Sequence, residues 1–395
     1  MDPTRFSRFK DAIHCIANNS FLIHDILQPL STYRSIQFEI ASTIKVLEQA
    51  EYEITREQPP TINKMAVYHS SNVILYSYIL YGIIPSVYCR EILIRPSTRV
   101  TTQTLRLHEL FQIQLPIIMS PVSQRKFTEK VTDAEVVVFT GRYENSVGLR
   151  EHFPESLFLF FGSGTNPTII GKNTNLDQAV SSVMNGRLIN SGQDCLCCNV
   201  VFVHDSLASQ FLSELVSRVR QLQFGENTQL NADYGPIFYD GVVENVRHFW
   251  QRYSQFCIHH GRVDIKNKII DPIIFKVDLD NMMPVEEFFA PVFYVVTFAD
   301  DNQLDNWLLQ PDQLRKAMGL SIFGEVSLSP FINRYYTVVY NQPYFEVEMG
   351  NEPFGGYGVE ASYAYHHGKA YSRPLLISRE VSKHYADIYS LTNIG

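Results

Sequence analysis

VVVFTGRYENSVG, residues 136–148, runs from an unbroken apolar strand, Val136–Phe139, through Thr140–Gly141 into a turn and a helix near Ser146. A strand that is apolar at every position, rather than at alternate ones, belongs in a sheet covered on both faces. The same step recurs along the chain. Strand-like runs at residues 90–97 (REILIRPS), 156–164 (SLFLFFGSG), 198–204 (CNVVFVH), 271–277 (DPIIFKV), 292–298 (VFYVVTF) and 335–341 (YYTVVYN) alternate with helical ones. The helical runs are 102–112 (TQTLRLHELFQ), 175–190 (NLDQAVSSVMNGRLIN), 206–223 (SLASQFLSELVSRVRQLQ) and 242–255 (VVENVRHFWQRYSQ). Strands alternating with helices predict βαβ units, parallel sheets and an α/β class, here as two sheets. The opening residues are helical by spacing, in FKDAIHCIANN (9–19) and SIQFEIASTIKVLEQA (35–50).

Strand-to-helix junctions are where such folds gather ligands. The helix after Gly141 offers free N–H groups and a dipole to a phosphate, although small residues at a βα turn are also ordinary turn chemistry. Neither GxGxxG nor a Walker A motif occurs.

A chain of 395 residues, 45% hydrophobic and 19% charged, has the composition of a soluble globular protein of two or three domains. Its net charge of −8 argues against a nucleic-acid partner. From Met65 to Cys89 no Asp, Glu, Lys or Arg occurs, a stretch long enough to span a bilayer. It contains His69, Ser70, Ser71, Asn72, Gly82 and Pro85 without flanking basic residues, so a buried strand, turn and helix is expected instead. The N-terminus lacks the pattern of a signal peptide and the six cysteines lack the spacing of a disulfide framework, so a cytoplasmic location and no membrane are expected.

Three of those cysteines crowd into NSGQDCLCC, residues 190–198. C-x-C-C lacks the spaced second pair of a structural zinc site, and no metal is expected. Cys197 and Cys198, beside an apolar run, read as small buried hydrophobes. Cys195 follows a tight polar turn that can present a thiolate and aim backbone amides at an oxygen. On these residues alone it is equally a nucleophile or a buried side chain.

Five ordered stretches resemble the aldehyde dehydrogenase superfamily: SSNVILY (70–76) before ILIRPS (92–97), FTGRYENSVG (139–148), NSGQDCLCC, EEFFAPVFYVVTF (286–298) and NEPFGGYGVEASYAYHHGKAY (351–371). The intervals from Asn72 to Arg95 and from Phe161 to Cys195 are those of the family motif. The resemblance implies two Rossmann-like open α/β domains with the active site between them. It implies a shortened N-terminal region with the dinucleotide-binding domain over residues 1–163, a catalytic domain over 164–350, and a C-terminal segment over 351–395. That last segment returns to the cofactor domain and could supply a strand for a homodimer.

The family's chemistry implies roles. Cys195 would attack the aldehyde carbonyl, giving a thiohemiacetal and then a thioacyl-enzyme. Asn72, with the Cys195 backbone N–H, would stabilise the oxyanion. Glu287 would hold the nicotinamide ribose, with Phe289 nearby, and Arg95, Thr98, Thr140, Gly141 and Arg142 would bind cofactor. Arg95 stands for the family's lysine, Arg142 for its serine and Ala290 for its glycine. Thr98 stands where NAD-preferring members often carry a glutamate, so NADP is preferred slightly over NAD, with Arg99 nearby. Phe161 replaces the general-base glutamate in FFGSGTNP, residues 160–167. Three readings follow: an aldehyde dehydrogenase with another base; an acyl-thioester oxidoreductase whose thioacyl-enzyme exchanges with coenzyme A or an acyl carrier protein; and a non-catalytic binding protein.

Overall fold

The computed structural model describes residues 3–111 and 115–392. Sheet one contains β1 (Ile62–Tyr68), β2 (Cys89–Arg95), β3 (Ile117–Met119), β4 (Val136–Thr140) and β5 (Leu157–Phe161). Sheet two contains β6 (Pro167–Ile170), β7 (Val200–His204) and β8 (Cys257–His259). After a two-stranded ribbon of β9 (Val263–Asp264) and β10 (Ile269–Ile270), it continues with β11 (Ile273–Asp278), β12 (Val292–Phe298), β13 (Gly319–Phe323) and β14 (Thr337–Tyr340). The chain then returns to sheet one with β15 (Ser362–His366) and β16 (Lys369–Ser372). The orders are β16-β15-β5-β4-β1-β2-β3 and β14-β13-β6-β7-β12-β11-β8.

Every residue of β5, β7 and β12 is buried, as uninterrupted apolar runs between helical layers require. The sheets are not wholly parallel, contrary to the sequence expectation. β15 and β16 run antiparallel at one edge of sheet one, and β8 runs antiparallel on β11. The β15–β16 reversal is local: His367 and Gly368 have φ of 48° and 73°, the pair of positive angles a two-residue hairpin turn demands.

The helix expected near Ser146 begins at Tyr143. The run 102–112 is helical over Thr101–Leu110, and its last residue, Gln112, lies outside the described residues. Met65–Cys89 is the end of β1, a helix over Ile74–Tyr78 that widens to a π-turn over Ile79–Ile83, and a single 3₁₀ turn. No described helix is long and apolar enough to cross a membrane.

The N-terminal helices complete the core of sheet one. The helix Tyr33–Glu57 is tied to the chain's end through buried Glu53, which accepts from Ser378 Oγ at 2.6 Å and from Asn351 Nδ2 at 2.8 Å. In sheet one the chain steps from β1 to β2 and β3, then crosses back to place β4 on the other side of β1. The loops after β1 and β4 therefore diverge, which opens the crevice where open α/β sheets take ligands.

Candidate active site

A cavity of about 940 Å³ opens between the two sheets at that crevice. Sheet one contributes Ser70–Asn72 after β1, Thr140–Arg142 after β4 and Phe161–Ser163 after β5. Sheet two contributes Asp194–Leu196, Tyr239 and Glu286–Phe289. Hydrogen bonds join the halves across it. Ser163 Oγ donates to Glu287 Oε2 at 2.9 Å, and the Ser71 and Tyr239 hydroxyls meet at 3.3 Å.

Cys195 lies on the cavity wall at the end of a helix that breaks sharply. Asn190, Ser191 and Gly192 have φ of 46°, 57° and 81°, three successive left-handed residues that fold the chain back on itself. At Gly192 only hydrogen fits, because a Cβ would lie 2.5 Å from the Ala290 carbonyl. This contact packs the cysteine loop against the EEFFAPV stretch. Asn166 Nδ2 donates to the Cys195 carbonyl at 2.8 Å, and Leu196 N–H donates to Asp194 Oδ1 at 2.8 Å. Burial raises the Cys195 thiol well above its usual value, and the carboxyls of Asp194 and Glu287 raise it further. Cys197 and Cys198 are buried and turn away, with Sγ on the carbonyls of Ile189 and Val200.

Asn72 faces the same cavity. Its Oδ1 accepts from Ser70 Oγ at 2.7 Å, which orients the amide so that its NH₂ is the free end. The next residue, Val73, has φ 41°, a conformation that a β-branched side chain adopts only under strain. Phe289, also left-handed at φ 50°, sets its ring edge-on to Tyr239 at 5.5 Å. Strained backbone therefore gathers around the cavity at Val73, Asn190 and Phe289.

Thr140, Gly141 and Arg142 line the wall, with Arg142 capping the helix Tyr143–Arg150. Glu287 keeps surface open to the cavity, yet the surrounding protein desolvates its carboxyl and pushes it up to about 7, partly offset by the Ser163 hydrogen bond. Arg95 and Thr98 are not among the lining residues; Ser97 and Arg99 are. Arg95 Nε instead donates to the Val122 carbonyl at 3.1 Å, while the Arg99 guanidinium lies over the Tyr239 ring at 5.5 Å. Phe161 also lines the cavity, its ring 5.5 Å from Tyr81 and 6.2 Å from Phe354.

Sequence reasoning missed Arg187. This fully buried side chain donates from Nη2 to the Gly192 carbonyl at 2.7 Å and from Nη1 to the Cys198 carbonyl at 2.8 Å. It clamps both ends of the cysteine loop. The available signal was a lone cation near the end of a helix, which ordinarily reads as a surface residue favoured by the helix dipole. Arg187→Met leaves two buried carbonyls without a donor, at about 1–3 kcal/mol each. The variant should melt several degrees lower in a thermal-shift assay, and an unchanged melting temperature would show that the clamp is idle.

The family model described as the aldehyde dehydrogenase family matches residues 91–308. A 4,4'-diapolycopene-4,4'-dial dehydrogenase of Cytobacillus firmus is 28% identical over 60% of this chain and 52% of its own length. The dimeric NADP-preferring aldehyde dehydrogenase of Rattus norvegicus is 28% identical over 53% of this chain and 46% of its own. The aligned part thus spans about half the length of these curated relatives. Among solved structures, the glyceraldehyde-3-phosphate dehydrogenase of Methanocaldococcus jannaschii complexed with NADP superposes with a TM-score of 0.79. It is 17% identical, over 96% of this chain and 87% of that one, a likeness of fold. Aldehyde dehydrogenase 21 of Physcomitrella patens, in complex with succinate, superposes with a TM-score of 0.78 at 16% identity, over 96% of this chain and 83% of that one. Since the matched residues make up more than half of the sequence, the chain belongs to the aldehyde dehydrogenase family.

Proposed function

We propose that the protein is an NAD(P)-dependent oxidoreductase that interconverts an aldehyde and an acyl product through a thiohemiacetal and a thioacyl adduct on Cys195. The observation that carries this reading is the meeting of Cys195, Asn72 and Glu287 on the wall of one cavity, from three separate parts of the chain. Sheet one carries the cofactor and sheet two the nucleophile. The Cys195 sulfur attacks the carbonyl carbon. The Asn72 amide, oriented by Ser70, and the Cys195 backbone N–H donate to the oxygen as it gains charge. Removal of hydride from the tetrahedral adduct leaves the thioacyl-enzyme.

The residues at the crevice fit a nicotinamide dinucleotide. The Glu287 carboxylate can accept from ribose hydroxyls, and the first turn of the helix after Arg142 can take a phosphate. When bound there, the cofactor supplies the hydride acceptor. Phe161 favours release of the acyl group to a thiol, such as coenzyme A or a carrier-protein arm, because its ring takes no proton from water. The test is to mix protein, NADP and a panel of aldehydes, following reduced cofactor by absorbance and the intact mass of the protein. Absence of both signals, with acyl thioesters also leaving no adduct, would sink the reading.

NADP is expected to bind more tightly than NAD. Arg99 lines the cavity, where a guanidinium can pair with a 2′-phosphate through charge-assisted hydrogen bonds. One such pair contributes about 1.5–3 kcal/mol, or roughly tenfold or more in affinity. Titration of both cofactors should show that margin, and Arg99→Ala should erase it. Tighter binding of NAD would refute the preference.

A further inference from the structure

We propose that His366, His367 and His384 form a binding site for one divalent transition-metal ion of the zinc class, fastening the β15–β16 hairpin to the C-terminal helix. One ring nitrogen from each of the three imidazoles can be chosen so that all lie within 4.8 Å of one another. The rings of His366 and His367 are 5.3 Å apart, those of His366 and His384 5.3 Å, and those of His367 and His384 5.9 Å. The three come from different positions in the fold. His366 ends β15 opposite Lys369, His367 is the first residue of the hairpin turn, and His384 is buried on the helix Ile377–Thr392. None of them lines the active-site cavity.

The turn itself brings His367 into the group. Its φ of 48° is left-handed, a region in which His, Asn and Asp are the non-glycine residues found most often, so an imidazole fits the turn. The donor set is all nitrogen, which suits Zn²⁺, Ni²⁺ or Cu²⁺ and does not suit Mg²⁺ or Ca²⁺, whose ligands are oxygens. At a Zn–N distance of about 2.0–2.1 Å, tetrahedral ligands stand roughly 3.3 Å apart. Closing from the present spread takes side-chain rotation, and the exposed His367 is free to swing on the turn. Three protein ligands leave a fourth position for water. The bland alternative is an aromatic cluster, since His366 also stacks on Tyr371 at 5.0 Å and His384 packs edge-on to Tyr385.

The experiment is calorimetric titration of ZnCl₂ into the full chain after chelator treatment, with Co²⁺ absorption as a second readout of coordination geometry. One ion per chain is expected, with a rise in melting temperature as zinc is added, because an ion that binds only the folded state stabilises it by mass action. His367→Asn keeps a residue suited to the positive φ and removes one ligand. It should weaken binding by more than about 100-fold, beyond the roughly 10–100-fold typical of losing an outer-shell partner. Cys195→Ala should leave binding intact. Absence of stoichiometric binding, equal binding by His367→Asn, or loss of binding in Cys195→Ala would each overturn the proposal.

Discussion

Cys195→Ala should lose turnover by on the order of 10⁶-fold, the scale on which removing a covalent nucleophile acts in other enzymes. It should also lose every acyl adduct detectable by mass. The expectation rests on position. Cys195 alone of the three neighbouring cysteines lines the cavity, and its carbonyl is held by Asn166 while Arg187 fixes the loop on either side. Cys197→Ala and Cys198→Ala should keep turnover measurable, because those sulfurs point at backbone carbonyls in the core. The thiol's chemistry adds a second check. Burial and the carboxyls of Asp194 and Glu287 hold it protonated at neutral pH in the cofactor-free protein. Only the thiolate reacts with an alkylating agent. Labelling of Cys195 should therefore be slow at pH 7 and should accelerate as the pH rises beyond the usual thiol range. Rapid labelling at pH 7, or full turnover by Cys195→Ala, would remove Cys195 from the role.

Much of this site was legible because it is written in short, separate runs. VVVFT and CNVVFVH could only be covered strands, and covered strands alternating with helices leave a crevice where their loops diverge. The residues after β1, after β4 and before β7 then fall together, although they are far apart in the chain. What could not be read depends on groups that act at a distance in sequence. Asn166 and Arg187 hold the cysteine loop through backbone carbonyls, and a carbonyl leaves no mark on residue type. The strain at Val73 was hidden for the opposite reason, since valine is a residue nobody would choose for φ 41°. The β15–β16 hairpin was read as motif rather than as sheet because the pairing of β15 with β5 closes over some two hundred residues. Of the two arginines the sequence offered for the cofactor, Arg99 lines the cavity and Arg95 does not, because β2 ends at Arg95 and the chain turns beyond it.

Phe161 should leave the thioacyl-enzyme long-lived in water. Water attacks a thioester readily only when a base takes its proton during the attack, an assistance of about 10²–10⁴-fold. The Phe161 ring, packed on Tyr81 and Phe354, takes no proton. Of the nearby carboxyls, Glu287, pushed up to about 7, is held by Ser163 Oγ. It is proposed to bind the cofactor ribose, which takes it out of use as a base while cofactor is bound; two others are poorly suited. Burial raises Glu348, which lines the cavity, well above the usual carboxyl range and so favours its protonated form, which is not a base. Asp194 is also raised by burial and is engaged by the Leu196 N–H. A thiol acceptor needs no such help if it arrives as a thiolate. With an aldehyde and NADP in a single-turnover experiment, reduced cofactor should therefore appear in a burst, followed by a phase slower by about 10²–10⁴-fold than base-assisted hydrolysis allows. Added coenzyme A should quicken that phase. Raising the pH should quicken it too, as hydroxide becomes available and Glu348 ionises above its raised pKa. Phe161→Glu should restore hydrolysis towards the burst rate provided its own carboxylate ionises, which a pH profile of the slow phase reads directly. Hydrolysis as fast as hydride transfer in the unaltered protein, with no burst and no response to thiol, would show that another group on this wall already serves as the base.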